Sequence, residues 1–192
     1  MAIPVSALQS INPGSVIELF TIELITALHG ANTLYRFHNG ANLNANGEVV
    51  WAGNSYLRFP IDCSGFEFGS TGTLPRPKIT ISNIFGTITT IMQTVNETTV
   101  GNDLNGAKFT RVRTLARYLD AANFTGGTNP FGTPDPTAEF PQEIYFLDRK
   151  VTETRDIVTW EAQSALDLIN VKLPQRIATK DIFPGIGAFL GF

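Results

Sequence analysis

Residues 78–84 (KITISNI) alternate between polar and aliphatic side chains, the pattern of a β-strand with one buried face. Ile79 and Ile81 can face a core, and Ile84 or Phe85 can extend the same face. Two short strands and a Gly/Thr-rich loop held by prolines precede this segment. Because a period of two cannot give a helix one apolar face, this part of the chain is predicted to build a sheet.

The rest of the chain repeats strand patterns with one change of period. The sequence predicts about nine strands, among them a long one over residues 15–28. Residues 87–98 instead place Ile88, Ile91, Met92 and Val95 on one helical stripe. We therefore predict a mainly β protein, an antiparallel barrel or sandwich with one amphipathic helix packed on it.

The 192 residues are enough for one large domain with a substantial core. We predict an N-terminal arm over residues 1–14, a β domain over 15–172 and a C-terminal extension over 173–192. Within the domain, residues 123–141 are rich in Gly and Pro and are predicted to form a long loop. In a ring-forming protein, a loop of this kind commonly reaches a neighbour.

Composition excludes several classes of function. The net charge of −3 makes phosphate-driven nucleic-acid binding unexpected. The single Cys63 excludes an intrachain disulfide and a multi-thiolate metal site, and its apolar context favours a buried structural cysteine. The N-terminal sequence lacks a signal-peptide pattern, and the most apolar window is too short to cross a bilayer, so we expect neither a signal peptide nor membrane insertion.

The inventory of catalytic groups is thin. His29 and His38 show no hydrolase order with Ser, Cys or Asp, and they fit the ends of surface hairpins or strands. Asp120, Asp148 and Glu161 are carboxylates on predicted strands, but sequence cannot show that two of them share a cleft. We therefore predict a protein without enzymatic activity and nominate no catalytic, cofactor-binding or metal-binding residue.

Charged side chains flank the long loop, and they fit either of two interpretations. They are isolated surface charges, or they pair with acidic groups of a neighbouring copy and fix its register. The charged content of 16% is low, which is typical of a chain that hides surface in an assembly, although a large β domain would look the same. The candidate interface residues in this region are Arg111, Arg113, Arg117, Phe131, Arg149, Lys150 and Arg155.

A set of motifs in fixed order resembles the minor tail protein L family of lambda-like, long-tailed bacteriophages. The set begins with W-x-G-x-x-Y over residues 51–56, SGFE over 64–67 and T-I-S-N-I-F-G over 80–86. It continues with R-x-R-T-x-A-R-Y-L-D-A-A-N-F over 111–124 and ends with W-E-x-x-S-x-L-D-L-x-x-V-x-L-P-x-R over 160–176.

The resemblance implies a structural component of the virion tail tip, made in the host bacterial cytoplasm. Family membership implies a tail-tube-like β-barrel core. It also implies a ring between the distal tail protein that caps the tube and the central hub that bears the fibres. Such a ring is needed for tail assembly and DNA passage. A trimer is favoured because a hub steps six-fold tube symmetry down to three-fold, and a hexamer is the alternative.

The chain departs from the family pattern after residues 173–176. Family members continue into a cysteine-bearing extension, which carries an iron–sulfur cluster in lambda-like members. With Cys63 alone, this chain is not expected to bind that cluster or another cofactor. An apolar segment follows instead, and we predict that it docks on the next protein of the tip. Its candidate contact residues are Phe183, Ile186, Phe189, Leu190 and Phe192.

Two other functional classes fit the sequence less well. A stand-alone carbohydrate- or receptor-binding module would stack Trp51, Tyr56 and Trp160 on sugar rings, although Trp residues in strands are buried by default. A peptidoglycan hydrolase would need the convergent acid and base that the motifs do not supply.

Overall fold

A computed structural model of the chain describes residues 3–12, 14–40, 47–68, 74–167, 179–180 and 185. The strands are β1 Val16–Glu23, β2 Leu34–His38, β3 Glu48–Trp51, β4 Asn54–Arg58, β5 Ile61–Ser64, β6 Lys78–Ser82, β7 Lys108–Leu115, β8 Glu143–Glu153 and β9 Ile157–Gln163. The helices are α1 Val5–Leu8, α2 Thr26–His29 and α3 Thr87–Thr98, with 3₁₀ turns at Ala116–Tyr118, Ala121–Asn123 and Ala165–Asp167.

All nine described strands belong to one sheet, in the order β3-β4-β2-β1-β7-β8-β9-β6-β5. The mainly β class and the helix over residues 87–98 are therefore confirmed. The prediction of an antiparallel barrel or sandwich is wrong in two respects, because the described sheet is mixed and its ladder is open. Strands β2 and β4 are parallel, with Phe37 opposite Leu57, because β3 lies between them in the chain and reverses its direction. The hydrogen-bonded ladder also does not close, because β3 and β5 end the order.

The chain runs from β4 into β5 through two residues, Phe59 and Pro60, although these strands lie near opposite ends of the strand order. Two residues separate the Cα atoms of Arg58 and Ile61 by at most about 11 Å. A flat sheet would place the two strands about 34 Å apart, since neighbouring strands are about 4.8 Å apart. The sheet must therefore roll until its two ends meet at this junction.

Backbone hydrogen bonds hold the junction on both sides. The Phe59 amide donates to the His38 carbonyl of β2 at 3.0 Å, and the Ser82 amide of β6 donates to the Pro60 carbonyl at 2.9 Å. Pro60 has no N–H to continue a ladder. The two ends of the sheet are thus joined by the chain itself at Phe59 and Pro60 and by these two hydrogen bonds. The described residues form no regular strand pair at this junction.

The main core fills the inside of this roll. Alternate residues of β1, β6, β7, β8 and β9 point inward, and the apolar stripe of α3 packs against them. Trp160 is completely buried at the centre, and its indole N–H donates to the Asp103 carbonyl at 3.0 Å. The most deeply placed members are Phe20, Ile79, Ile81, Ile88, Phe109, Leu147, Val158 and Trp160.

A second, smaller core lies on the other side of the sheet. The β3–β4 hairpin contributes Val49, Trp51 and Tyr56, which pack against Leu19 of β1 and Val112 of β7. Strands β1 and β7 are therefore buried on both faces. This double burial explains why Leu19 and Phe20, adjacent residues of β1 on opposite faces, are both apolar.

Two local predictions are wrong. The strand predicted over residues 15–28 ends at Glu23, and α2 follows it. Ile84 and Phe85 do not extend the core face of β6, because β6 ends at Ser82 and a turn leaves them 64% and 88% exposed. Strand β7 ends at Leu115, where the chain enters a 3₁₀ turn. Among the described residues, no helix has the length and apolar character needed to cross a membrane.

One edge of the sheet is covered by a side chain. Asn123 is completely buried beside β3, where its Oδ1 accepts from the Val50 amide and its Nδ2 donates to the Val50 carbonyl, both at 2.7 Å. The same Nδ2 donates to the Asp120 carbonyl at 2.8 Å, which fixes the amide in place. The Asn123 side chain thus pairs with β3 as a neighbouring strand would.

Replacing Asn123 with Ala should leave the Val50 amide and carbonyl without partners in a buried place. We expect the free energy of unfolding to fall by about 2 kcal/mol, as for other lost buried hydrogen bonds. Urea denaturation measures it. Asn54→Ala is the matched control, because that side chain donates one 3.3 Å bond at an exposed turn and should change stability by less than about 0.5 kcal/mol. Equal losses in the two variants would contradict the role of Asn123.

His38 holds both ends of the loop between β2 and β3. It is completely buried, its Nδ1 accepts from the Gly40 amide at 3.2 Å, and its Nε2 donates to the Gly47 carbonyl at 3.0 Å. Burial lowers the pKa of His38 below its ordinary value of 6.5, and the positive charge of Arg58 lowers the pKa further. Because Nδ1 already accepts a hydrogen bond, protonation would break that contact.

A lowered pKa makes the folded state bind fewer protons than the unfolded chain. The free energy of unfolding should therefore be constant above pH 6.5 as far as His38 is concerned, and it should decrease as pH falls through 6.5 towards the folded pKa. The decrease is at most about 1.4 kcal/mol per pH unit for one proton. Denaturation between about pH 7.5 and about pH 5.5 measures the slope. His38→Gln should flatten it, and an unchanged slope would contradict the assignment.

Candidate interaction surfaces

The long Gly/Pro-rich loop over residues 123–141 lies against its own chain. Asn129 is the main anchor, because its Nδ2 donates to the carbonyls of Ala116, Arg117 and Leu119 at 3.0–3.2 Å. The amide of Phe140 donates to the Arg113 carbonyl at 2.9 Å. The loop is confirmed as a segment without long helix or strand, and its backbone packs on the end of β7.

The loop and the end of β7 form a cleft of about 550 Å³, which we call the Arg117 cleft. It brings together two predicted interface residues, Arg117 and Phe131, both exposed. The Phe131 ring packs edge-on against Phe124 with 5.8 Å between centroids, and the Arg117 guanidinium lies 5.4 Å from the Tyr118 ring centroid. The remaining lining residues are Asn12, Gly14, Ser15 and Ala116.

Two other predicted interface cations are paired within the chain. Arg111 binds Glu18 on β1 and Glu143 on β8, the latter at 2.9 Å, and Arg113 binds Glu143 at 3.0 Å. Burial lowers the pKa of Arg111, but its hydrogen bonds to the two carboxylates outweigh burial and leave the pKa raised. The Phe66 ring covers the Arg111 guanidinium at 4.5 Å. These two arginines therefore join strands of one molecule in the described structure.

The cations of the β8–β9 hairpin differ from one another. Arg149 binds Glu161 across the hairpin at 2.7 Å, and Lys150 binds Asp103 and Glu153, each at 2.7 Å. The hydrogen bond from Lys150, with one from Asn96, lowers the pKa of Asp103. Arg155 lies exposed in the hairpin turn and has no ion pair with any residue that the structure describes.

The possible catalytic residues serve structural roles where the structure describes them. His29 is buried, with Nδ1 accepting from the Ile25 amide at 2.9 Å and Nε2 within 3.1 Å of the Asn105 carbonyl. Asp120 accepts from the Gly53 amide at 2.8 Å, while Asp148 and Glu161 pair with Arg76 and Arg149 respectively. The prediction that His38 sits at a surface hairpin end is wrong, because its ring is buried.

The single cysteine does not fit a metal cluster. Burial raises the pKa of the Cys63 thiol to about 12, so the thiolate that binds iron is disfavoured. The described residues also contain no group of three or more His, Cys, Asp or Glu side chains that could hold a metal ion. The chemistry of an iron–sulfur site is therefore unsupported by the donors of these 192 residues.

The aromatic residues needed for a sugar-binding surface are in the core. Trp51 is 3% exposed, Tyr56 is 6% exposed and Trp160 is completely buried. The stacking surface proposed for a carbohydrate-binding module is therefore absent at these three positions.

Two exposed apolar sites were not predicted as interfaces. Ile84 and Phe85 project from the turn after β6, and Phe68 is 77% exposed after β5, next to exposed Glu67. Such turns are hard to predict where the strand-like pattern of the sequence continues beyond the last residue of the actual strand. The predicted C-terminal contact residues lie outside the described residues. They are Phe183, Ile186, Phe189, Leu190 and Phe192.

Comparison with known proteins agrees with the motifs quoted above. The sequence profile of the phage minor tail protein L family matches residues 26–185. The chain is also 38% identical over 93 residues to tail tip protein L of Escherichia phage lambda. That alignment covers 48% of this chain and 37% of the lambda protein, so the chain corresponds to part of its relative. The family match spans most of the sequence and confirms the resemblance: the chain belongs to the phage minor tail protein L family.

Proposed function

We propose that this chain is a non-enzymatic structural component of the tail tip of a long-tailed phage. The observation that carries the proposal is the family match over residues 26–185, and the partial similarity to the lambda tail tip protein supports the position at the tip. The chain acts through its shape and its contacts in the virion, after synthesis in the host bacterium. That the rolled sheet has the fold of a tail-tube protein stays a prediction.

We further propose that copies of the chain associate in a ring between the distal tail protein and the central hub. Head-to-tail contacts between identical subunits close into rings when the rotation per subunit allows. A trimer is favoured, and a hexamer is the alternative. The exposed Arg117 cleft supports a contact surface, because aromatic side chains and Arg are enriched in interfaces.

Particles made without this chain should fail to mature into infectious phage. The expected defect is an incomplete tail, because later components lack the surface on which they assemble. Plaque counts and electron microscopy of a deletion phage measure it, and a plasmid copy of the gene should restore infection. Deletion particles with normal tails and normal infectivity would overturn the proposed function.

Cross-linking mass spectrometry on intact particles tests the position. Cross-links should join this chain to the tube-capping distal protein, to the hub and to another copy of itself. Copies can be distinguished by mixing isotope-labelled and unlabelled protein before assembly. Cross-links to neither neighbour would contradict the position between them.

Deleting residues 183–192 should abolish co-assembly with the next tip protein while leaving the purified domain folded. We expect this because the proposed role of the segment is to supply apolar contacts to the partner. Pull-down measures binding, and thermal denaturation measures folding. A full-length variant with Ser at Phe183, Ile186, Phe189, Leu190 and Phe192 separates side-chain loss from chain length and should fail equally. Tips assembled normally from either variant would contradict tail docking.

A further inference from the structure

The Arg117 cleft contains a cation without a carboxylate partner in the part of the chain that the structure describes. Four other predicted interface cations, Arg111, Arg113, Arg149 and Lys150, are paired with carboxylates of their own chain. An arginine guanidinium offers two parallel N–H donors to a carboxylate, so Arg117 is suited to bind one from outside. The adjoining Phe131 ring is 62% exposed and adds an apolar contact.

The walls of the cleft are fixed before any ligand arrives. Asn129 donates to the carbonyls on either side of Tyr118, and its Oδ1 accepts from the Phe131 amide at 2.9 Å. Gly132 lies so close that a Cβ there would meet the Arg117 carbonyl oxygen at 3.2 Å. Phe131 and Arg117 are therefore presented together on a rigid backbone, which reduces the entropy lost on binding.

A complementary feature stands elsewhere on the same chain. Glu67 is exposed without an ion-pair partner among the described residues, and Phe68 beside it is 77% exposed. The preceding Phe66 is anchored, because its ring covers Arg111 and lies 5.6 Å from the Tyr145 ring centroid. Of the exposed phenylalanines in the described residues, which are Phe68, Phe85 and Phe131, Phe68 alone adjoins an acidic residue.

The two features lie at different places on the molecule. Phe68 lines a groove with Pro141 and Ile144 at the start of β8, whereas the Arg117 cleft lies beyond the end of β7, and the two share no lining residue. The two features can therefore meet between neighbouring molecules. Because each chain carries both features, the contact is head-to-tail and can repeat around an axis.

We propose that the Glu67–Phe68 segment of one copy docks in the Arg117 cleft of the next copy. Glu67 pairs with Arg117, and the Phe68 ring packs on Phe131. Complementary charge and a buried aromatic anchor are the features that dominate interface energetics. This contact rests on the proposed self-association and names the surfaces that carry it.

Charge reversal tests the contact on the full chain by sedimentation equilibrium. Arg117→Glu and Glu67→Arg should each weaken self-association at least roughly tenfold, because each places like charges together. The double variant restores opposite charges and should return to within about threefold of the wild-type Kd. Lys78→Glu is the matched control, since it reverses an exposed cation without an ion pair among the described residues and outside the candidate interface, and it should leave the Kd unchanged.

The aromatic half of the contact has its own matched pair. Phe68→Ala should weaken association, whereas Phe85→Ala removes an even more exposed ring, at 88%, and should not. Circular dichroism and thermal denaturation verify that every variant is folded. Equal effects of the two substitutions would show that general surface hydrophobicity drives association and would overturn the proposed contact.

The outcomes separate this contact from the ring itself. The contact is wrong, while the ring stands, if the wild-type protein associates and the two single reversals do not weaken its self-association. The same conclusion follows if the double variant does not restore the wild-type Kd. If the Kd for self-association of the wild-type chain is weaker than about 1 mM and particles show no self-cross-links, both the contact and the ring are wrong. The pairing of Glu67 with Arg117 is supported only if both single reversals weaken self-association and the double variant restores the Kd.

Discussion

The structure depends on a chain path that joins the two ends of its own sheet. Phe59 and Pro60 connect β4 to β5, which lie near opposite ends of the strand order, so the sheet has to roll. The roll encloses the core around Trp160 and leaves α3 to cover it. The Arg117 cleft and the exposed turn at Ile84 and Phe85 lie on turns and loops outside this roll, where their geometry is set by the strands that carry them.

Much of this architecture follows from local patterns in the sequence. The helix over residues 87–98 and the core faces of Ile79 and Ile81 are visible as periodicity, and the number of strands follows from the same reading. The parallel β2–β4 pair and the roll are not visible, because they depend on pairing between segments that no local pattern connects. The exposure of Ile84 and Phe85 was equally hidden, since a strand pattern does not mark where the strand stops.

The charged residues show the same limit. Arg111 lies directly opposite Glu143, so its pairing within the chain is a matter of strand register. Register cannot be inferred for strands separated by a long loop. Even in the β8–β9 hairpin, a register shift places Arg149 opposite Glu161, whereas counting from the turn would place it opposite Ala162. The family motifs identified the protein class from residue order alone, whereas only the fold separates cations already paired in the chain from Arg117.

The amide of Asn123 makes the two rims of the sheet unequal. On the β3 rim it occupies both hydrogen-bonding positions of Val50, so an incoming strand would have to displace it. No comparable side-chain cap is found along β5 among the described residues. The unpaired backbone groups of an edge strand can pair with another chain, which can start aggregation. At high local concentration, the β3 edge of each molecule is consequently protected against non-native strand pairing with another copy. That protection comes from a single carboxamide.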